Sequence, residues 1–129
     1  MGADPVAIAI ARESLEREGE PINAFVVRKE PKAHGMKQGV EGLTLPAQID
    51  VVVVDDVCST GGSTVTAIEA AREAGMIVAG VLCLVDREQG GRLIIERALA
   101  EVPSEEDLPF LCVFTAKDVR KAHVALHSK

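Results

Sequence analysis

An acidic pair and a run of small residues stand side by side in the stretch V-V-V-V-D-D-V-C-S-T-G-G-S-T, from residue 51 to residue 64. Carboxylates such as Asp55 and Asp56 accept hydrogen bonds from sugar hydroxyls, but they repel a phosphate. The glycines let the backbone approach a ligand, and the first turn of a helix offers unpaired N–H groups to an anion. The stretch is therefore expected to hold a phosphate at one end and a ribose diol at the other.

Two other phosphate-binding motifs do not fit this stretch. A nucleoside-triphosphate P-loop needs a lysine after its second glycine, whereas Gly62 is followed by Ser63. The dinucleotide fingerprint G-x-G-x-x-G is absent from the sequence. The remaining alternative is structural: a buried strand that ends in a solvated acidic turn.

A basic segment forms a second candidate site. Residues 30–45 are punctuated by proline and glycine, which predicts a mobile loop that returns through a short strand near Val40–Leu45. A basic loop in an acidic protein suits a polyanionic ligand, although a solvated surface turn is the alternative. Its cationic candidates are Lys29, Lys32, His34 and Lys37.

The apolar pattern predicts alternating helices and strands, hence an α/β fold with a layered, mostly parallel sheet. Val51–Val54 show no amphipathic alternation, which favours a strand covered on both faces. In the next helix Val65, Ile68, Ala71 and the stem of Arg72 are expected to face inward. The predicted order is a helix from Asp4 to about Leu15, a strand at Ile22–Val27, a strand at Gln48–Val57, a helix at Ser63–Ala74, a strand at Met76–Val85, a helix from Gly90-Gly91 to about Ala100, a strand at Phe110–Phe114 and a terminal helix from Thr115.

Charged residues follow three of these strands at their carboxyl ends, namely Arg28-Lys29, Asp55-Asp56 and Asp86-Arg87. Ligands of open α/β sheets bind at the carboxyl ends of the strands. We therefore expect the three charged pairs to share one rim of the sheet.

Length and composition bound the class of protein. A chain of 129 residues with 47% apolar and 26% charged residues predicts a single globular domain, residues 1–129. The net charge of −6 argues against a nucleic-acid or anionic-membrane surface, and no apolar run reaches the length of a membrane span. Cys58, Cys83 and Cys112 are too widely spaced to predict a metal site or a disulfide framework.

The central stretch resembles the phosphoribosyl-pyrophosphate (PRPP) loop of type I phosphoribosyltransferases. Residues 25–35, F-V-V-R-K-E-P-K-A-H-G, resemble the catalytic loop of the orotate phosphoribosyltransferase family, whose pattern is R-K-E-x-K-x-H-G. L-V-D-R at residues 84–87, followed by Gly90-Gly91, is similar to that family's orotate-binding strand. The resemblance covers roughly Met1 to Ile95. Purine-type relatives share the PRPP loop but not the basic loop.

The resemblance implies a three-layer, Rossmann-like phosphoribosyltransferase fold and a glycosyltransferase (pentosyltransferase) of pyrimidine biosynthesis. Such an enzyme transfers phosphoribosyl from PRPP to orotate, giving orotidine 5′-monophosphate and pyrophosphate. It also implies Mg²⁺ that arrives with PRPP, a cytoplasmic homodimer, and neither nucleic acid nor membrane as partner.

The resemblance further implies a role for each matching residue. The catalytic residues would be Lys32, His34, Asp55 and Asp56. The PRPP-binding residues would be Arg28, Lys29, Lys32, His34, Asp55, Asp56, Val57, Cys58, Ser59, Thr60, Gly61, Gly62, Ser63 and Thr64. The orotate-binding residues would be Ser59 and Arg87, although an ion pair of Arg87 with Asp86 or Glu88 is an alternative.

The resemblance begins in mid-fold, because family members carry a hood, a first core strand and a pyrophosphate loop before the residue that matches Met1. We therefore expect an N-terminally truncated core. The strands at 22–27 and 51–54 would then pair directly, or a second chain would fill the gap, or the fragment would lack full activity. PRPP-site residues in place with weak or absent turnover are the expectation. A non-catalytic PRPP- or nucleotide-binding regulatory module, and a phosphoribosyltransferase for another base, are the alternatives.

Overall fold

A computed structural model describes residues 3–20, 22–27, 40–41 and 48–128; of residues 26–27 and 40–41 it describes only the backbone. The elements are α1 (Ala3–Glu18), β1 (Val26–Val27), β2 (Val40–Glu41), β3 (Asp50–Cys58), α2 (Gly62–Glu73), β4 (Ile77–Asp86), α3 (Gly91–Ala100), β5 (Phe110–Thr115) and α4 (Ala116–His127). No helix in these residues is long and apolar enough to cross a bilayer.

The principal sheet is parallel, with strand order β3-β4-β5. In its middle Val53 pairs with Val81, and Val81 pairs with Phe110. Parallel strands joined by helices are the arrangement that the alternating pattern predicts. The predicted α/β class is therefore confirmed.

Helices α2 and α3 pack against each other and against this sheet. Ile68 and Ile95, one from each helix, have no exposed surface and lie at the centre of the core. The predicted inner face of α2 is confirmed at Ile68 and Ala71, which are buried, and at Val65, which is half-buried. The stem of Arg72 also runs inward.

The head of Arg72 reaches α3. Its guanidinium donates to the Ala98 carbonyl at 2.6 Å and to the Leu99 carbonyl at 3.1 Å. Both carbonyls belong to the last turn of α3, where a helix has no intrahelical donor left. One side chain of α2 therefore caps the carboxyl end of α3.

The prediction that β3 is buried on both faces is wrong for one of the two faces. Val53 is 9% exposed, but its neighbour Val52 is 56% exposed. Leu84, Leu111 and Val113 lie on the same face of β4 and β5 as Val52 and are exposed as well. The reason is that α2 and α3 cover the opposite face, while α1, which contacts β3, has no buried residue.

A second, small sheet precedes β3. In it β1 pairs antiparallel with β2, with Val27 opposite Val40. The predicted short strand near Val40–Leu45 is thus confirmed at Val40–Glu41. Direct pairing of residues 22–27 with Val51–Val54 is wrong within the described residues, because β1 takes β2 as its partner and β3 takes β4. Helix α2 contacts β1 and places this hairpin beside the helix.

Candidate functional site

The carboxyl ends of the three parallel strands form one row. Cys58 pairs with Asp86, and Asp86 pairs with Thr115. Two of the three predicted charged pairs, Asp55-Asp56 and Asp86-Arg87, therefore share a rim, as expected. We call residues 59–61, which join β3 to α2, the cradle loop, and residues 87–90, which join β4 to α3, the arginine loop.

The start of α2 has the features of an anion site. Its N-cap is Gly61, with a left-handed φ of 89° and no side-chain hydrogen bond to the first turn. The Gly61 carbonyl accepts the Val65 N–H at 3.0 Å, so the helix proper has begun. The backbone N–H groups of residues 62–64 have no acceptor within the helix and carry the positive end of its dipole. They suit a phosphate.

Asp55 ties the strand to this helix start. Its Oδ2 accepts the hydroxyl of Thr64 at 2.8 Å and that of Ser63 at 3.3 Å, while Oδ1 accepts the Asp56 N–H at 2.9 Å. Thr64 is only 2% exposed. Because its hydroxyl proton points at Asp55, Thr64 can offer a phosphate its backbone N–H rather than its side chain.

The two carboxyls of the acidic pair differ in acidity. Partial burial raises the pKa of Asp55 above its ordinary value of 3.8. The hydrogen bond with the Asp55 side chain lowers the pKa of Asp56. Asp56 is thus an anion at neutral pH and the better acceptor for a sugar hydroxyl.

The arginine loop is bonded to the cradle loop through its backbone. The Arg87 N–H donates to the Cys58 carbonyl at 2.8 Å, and the Gly91 N–H donates to the Ser59 carbonyl at 3.1 Å. Two further bonds hold the loop from the other side. The Glu88 N–H donates to buried Asp86 at 2.9 Å, and Glu88 Oε1 accepts a backbone N–H at the start of α4 at 3.0 Å.

The Arg87 side chain itself is exposed. Within the described part of the chain it forms no ion pair with Asp86 or Glu88, whose oxygens accept backbone N–H groups instead. The structural alternative for Arg87 is therefore not observed. The loop holds the backbone under this guanidinium in place and leaves its donors available to a ligand.

The remaining predicted residues fall into three groups. Cys58 is 1% exposed and burial raises the pKa of its thiol, so only its backbone is available to a ligand. Val57 and Thr60 are exposed and Ser59 is half-buried. The basic residues lie outside the described residues: Arg28, Lys29, Lys32 and His34. The paired β1 and β2 flank that basic segment on both sides.

Two structural features at this rim escaped prediction from the sequence. The first is the contact between Gly61 and Gly91, for which the only signal was the Gly90-Gly91 pair. The second is the capped start of α4, where Thr115 and Asp118 form a capping box. The spacing T-x-x-D is a sequence signal for such a cap.

In the described part of the site, Asp55 and Asp56 are the residues considered for a metal. Among the described residues no group of three or more His, Cys, Asp or Glu side chains is placed to hold a metal ion. Carboxylate oxygens do suit Mg²⁺, which prefers few protein ligands and keeps water and phosphate oxygens. The donor set therefore fits a magnesium ion that arrives with a diphosphate.

Comparison with known proteins agrees with this geometry. Residues 2–102 match the phosphoribosyl transferase domain. An orotate phosphoribosyltransferase of Aquifex aeolicus is 54% identical over 97 residues, which are 75% of this chain and 52% of that protein.

Solved structures give the same picture. The orotate phosphoribosyltransferase of Mycobacterium tuberculosis in complex with Fe(III) dicitrate superposes with a TM-score of 0.71 at 42% identity, covering 92% of this chain and 61% of that one. The same enzyme in complex with PRPP gives 0.68 at 37% identity, covering 92% and 60%. The chain thus spans between about half and three fifths of the length of these relatives.

Proposed function

The chain belongs to the phosphoribosyl transferase domain family, and from that premise we propose that it binds PRPP and transfers the phosphoribosyl group to orotate. The products are orotidine 5′-monophosphate and pyrophosphate, a step of pyrimidine biosynthesis. One observation carries the proposal: Asp56, whose pKa is lowered, and an uncapped helix start flank the cradle loop, and this stretch of the chain is hydrogen-bonded to the arginine loop, which carries Arg87. The names of the similar enzymes support orotate as the base.

The sugar phosphate is assigned to the cradle loop and the start of α2. The 5′-phosphate accepts the N–H groups of residues 62–64, with Thr60 and Gly61 closing the cradle. The ribose hydroxyls donate to Asp56, the carboxylate with the lowered pKa. Asp55 supports this arrangement because it holds the hydroxyls of Ser63 and Thr64.

The base is assigned to the arginine loop. A planar guanidinium donates two parallel hydrogen bonds to a carboxylate or to a carbonyl edge, which suits the acidic base orotate. Arg87 is therefore its proposed anchor. The hydroxyl of half-buried Ser59, which adjoins this loop, is the second proposed contact.

The basic segment is the proposed partner of the pyrophosphate. Arg28, Lys29, Lys32 and His34 supply cationic or hydrogen-bonding groups, and strands β1 and β2 flank the segment beside α2. Lys32 and His34 are the proposed catalytic residues that neutralise the leaving group. We propose that the basic segment of one subunit serves the site of the other subunit, which requires a homodimer. The proposal also includes a single domain over residues 1–129 and a cytoplasmic location.

The reaction is a displacement at the anomeric carbon of the ribose. A ring nitrogen of orotate gives up its proton to solvent and donates an electron pair to that carbon, and the bond to the pyrophosphate oxygen breaks with its electrons leaving on the pyrophosphate. Positive charge develops on the sugar, so the neighbouring Asp55–Asp56 pair stabilises the transition state electrostatically. Mg²⁺ bound to PRPP would neutralise part of the leaving group's charge.

The test separates binding from turnover. Titration calorimetry with PRPP and Mg²⁺ is expected to give heat, and orotate is expected to raise the melting temperature further once PRPP is bound. Turnover is measured in a separate assay, as the formation of orotidine 5′-monophosphate from PRPP and orotate. A folded chain that releases no heat with PRPP contradicts the proposal. If a purine base raises the melting temperature and orotate does not, the substrate is a purine base and not orotate.

A further inference from the structure

Two glycines meet where the cradle loop approaches the start of α3: Gly61, in the cradle loop, and Gly91, which directly follows the arginine loop. A Cβ placed on Gly91 would lie 2.6 Å from the Ser59 carbonyl oxygen, 2.7 Å from Cys58 Sγ and 2.9 Å from the Gly61 nitrogen. A Cβ on Gly61 would lie 2.9 Å from the Gly91 carbonyl oxygen. Such separations are shorter than Cβ atoms tolerate, and most of the crowding atoms are backbone. Neither position has room for a side chain.

Hydrogen bonds join the same two loops on either side of this contact. Ser59, which accepts the Gly91 N–H, and Cys58, which accepts the Arg87 N–H, lead directly into the cradle loop. The contact is thus made by backbone and by a bare Cα. Backbone atoms have no rotamers with which to absorb a displacement, so a shift of the cradle loop passes to the backbone of Arg87.

We propose that Gly91 is a positioning residue of the site: it fixes the cradle loop against the arginine loop, so that occupation of the phosphate cradle also orders Arg87. This inference rests on the proposed function for its two ligands. Gly91 touches neither ligand. Its effect runs through Ser59 and Gly61 on one side and through Arg87 on the other.

The neighbouring glycine provides a matched control. Gly90 has a left-handed φ of 87°, but a Cβ there would meet no atom within 4 Å. Asparagine tolerates the left-handed region better than other residues with a side chain. Gly90→Asn therefore adds a larger side chain than Gly91→Ala does, without forcing the two loops apart.

The first experiment is calorimetric titration of PRPP with Mg²⁺ into the wild type, Gly91→Ala and Gly90→Asn, each first shown to be folded. Displacement of a binding group by several tenths of an ångström weakens well-oriented contacts severely. Affinity is expected to fall by about 10-fold or more in Gly91→Ala and to stay within about 2-fold of the wild type in Gly90→Asn. Equal affinities in all three proteins overturn the inference.

The second experiment needs only the wild type, so it stands even where Gly91→Ala fails to fold. On saturation with PRPP and Mg²⁺, the ¹H–¹⁵N signals of Arg87 and Gly91 are expected to shift together with those of residues 62–64. The signal of Asp118, in α4, is expected to stay in place. An unmoved Arg87 signal beside shifted cradle signals overturns the inference, whereas a wild type that binds no PRPP refutes the proposed function beneath it.

Discussion

Helices α2 and α4 both begin at the carboxyl edge of the same sheet, yet their first turns are built differently. Helix α4 starts from Thr115, whose hydroxyl accepts the Asp118 N–H at 3.2 Å while Asp118 accepts the Thr115 N–H at 2.9 Å. Helix α2 starts from Gly61, which has no side chain with which to do the same. The start of α4 thus has a side-chain cap, and the start of α2 has none.

The difference supports the start of α2 as the proposed anion site on this rim. A capping box satisfies N–H groups that would otherwise be orphaned, and it stabilises the helix. A helix start without one gives up that stability and gains an anion site. The acidic pair reinforces the distinction, because Asp55 bonds the hydroxyls of α2 and not its first-turn N–H groups.

The largest expected effect comes from giving α2 the N-cap of α4. In Gly61→Thr a β-branched residue must adopt a left-handed φ of 89°, and its Cβ must fit 2.9 Å from the Gly91 carbonyl. We expect the free energy of unfolding to fall by about 2–4 kcal/mol and PRPP binding to be lost. Urea unfolding and calorimetry measure the two effects.

The adjacent glycine serves as the stability control for that substitution. A Cβ on Gly62 would meet nothing within 4 Å, and its φ is not left-handed. Gly62→Ala is therefore expected to leave stability unchanged or to raise it by up to about 1 kcal/mol. Comparable losses in both variants would show that Gly61 is not a special position.

The next effect concerns ligand binding alone. Asp56→Asn removes the ionised acceptor proposed for the ribose hydroxyls, and hydrogen bonds to charged groups contribute about 1.5–3 kcal/mol. PRPP affinity is thus expected to fall by about 10- to 100-fold by calorimetry. Asp118→Asn, which alters the acidic residue of the α4 cap, is the matched control and is expected to bind PRPP like the wild type. A similar loss in both variants would abolish the distinction between the two helix starts.

A smaller effect is a pH dependence of stability at Asp55. Its folded pKa is raised above 3.8, so the folded state holds the proton more tightly, and stability decreases as the pH rises through the interval between the two values. Asp55→Asn carries no such charge. The variant is therefore expected to be more stable, relative to the wild type, at pH 7 than at pH 3.5. The opposite trend in urea titrations would mean that the Asp55 carboxylate is stabilised in the folded state.

The smallest effect belongs to α4. Thr115→Ala removes the hydroxyl of the cap and is expected to lower stability by about 1 kcal/mol, whereas Thr115→Gly should cost only a few tenths, about 0.3 kcal/mol. PRPP affinity is expected to remain that of the wild type in both. Any weakening of PRPP binding in these variants would place α4 within the site.

The sequence predicts the elements of this protein better than it predicts their contacts. The apolar run at Val51–Val54 and the spacing of Ile68 and Ala71 are local or periodic signals, and the structure confirms the strand and the helix they indicate. The exposure of Val52 contradicts the predicted cover of both faces, because an apolar run does not guarantee that a helix lies over each face. Whether a face of the sheet is buried depends on where whole helices pack in the tertiary structure.

The same limit applies to the site. The acidic pair and the small-residue run locate the candidate cradle, since they are neighbours in the sequence, from Asp55 to Thr64. The orientation of Asp55 toward Thr64 and the contact of Gly61 with Gly91 depend on tertiary packing. Residues 30 positions apart meet only because parallel strands end in one row, and no periodicity encodes how closely two loops approach.

Arg72 has a consequence for motion. It clamps the far ends of α2 and α3 through the Ala98 and Leu99 carbonyls, while Gly61 and Gly91 bring the near ends into contact. Two rods joined at both ends cannot splay or slide independently. Helices α2 and α3 are therefore expected to move as one rigid unit when a ligand binds, so that a displacement at the start of α2 also displaces the start of α3.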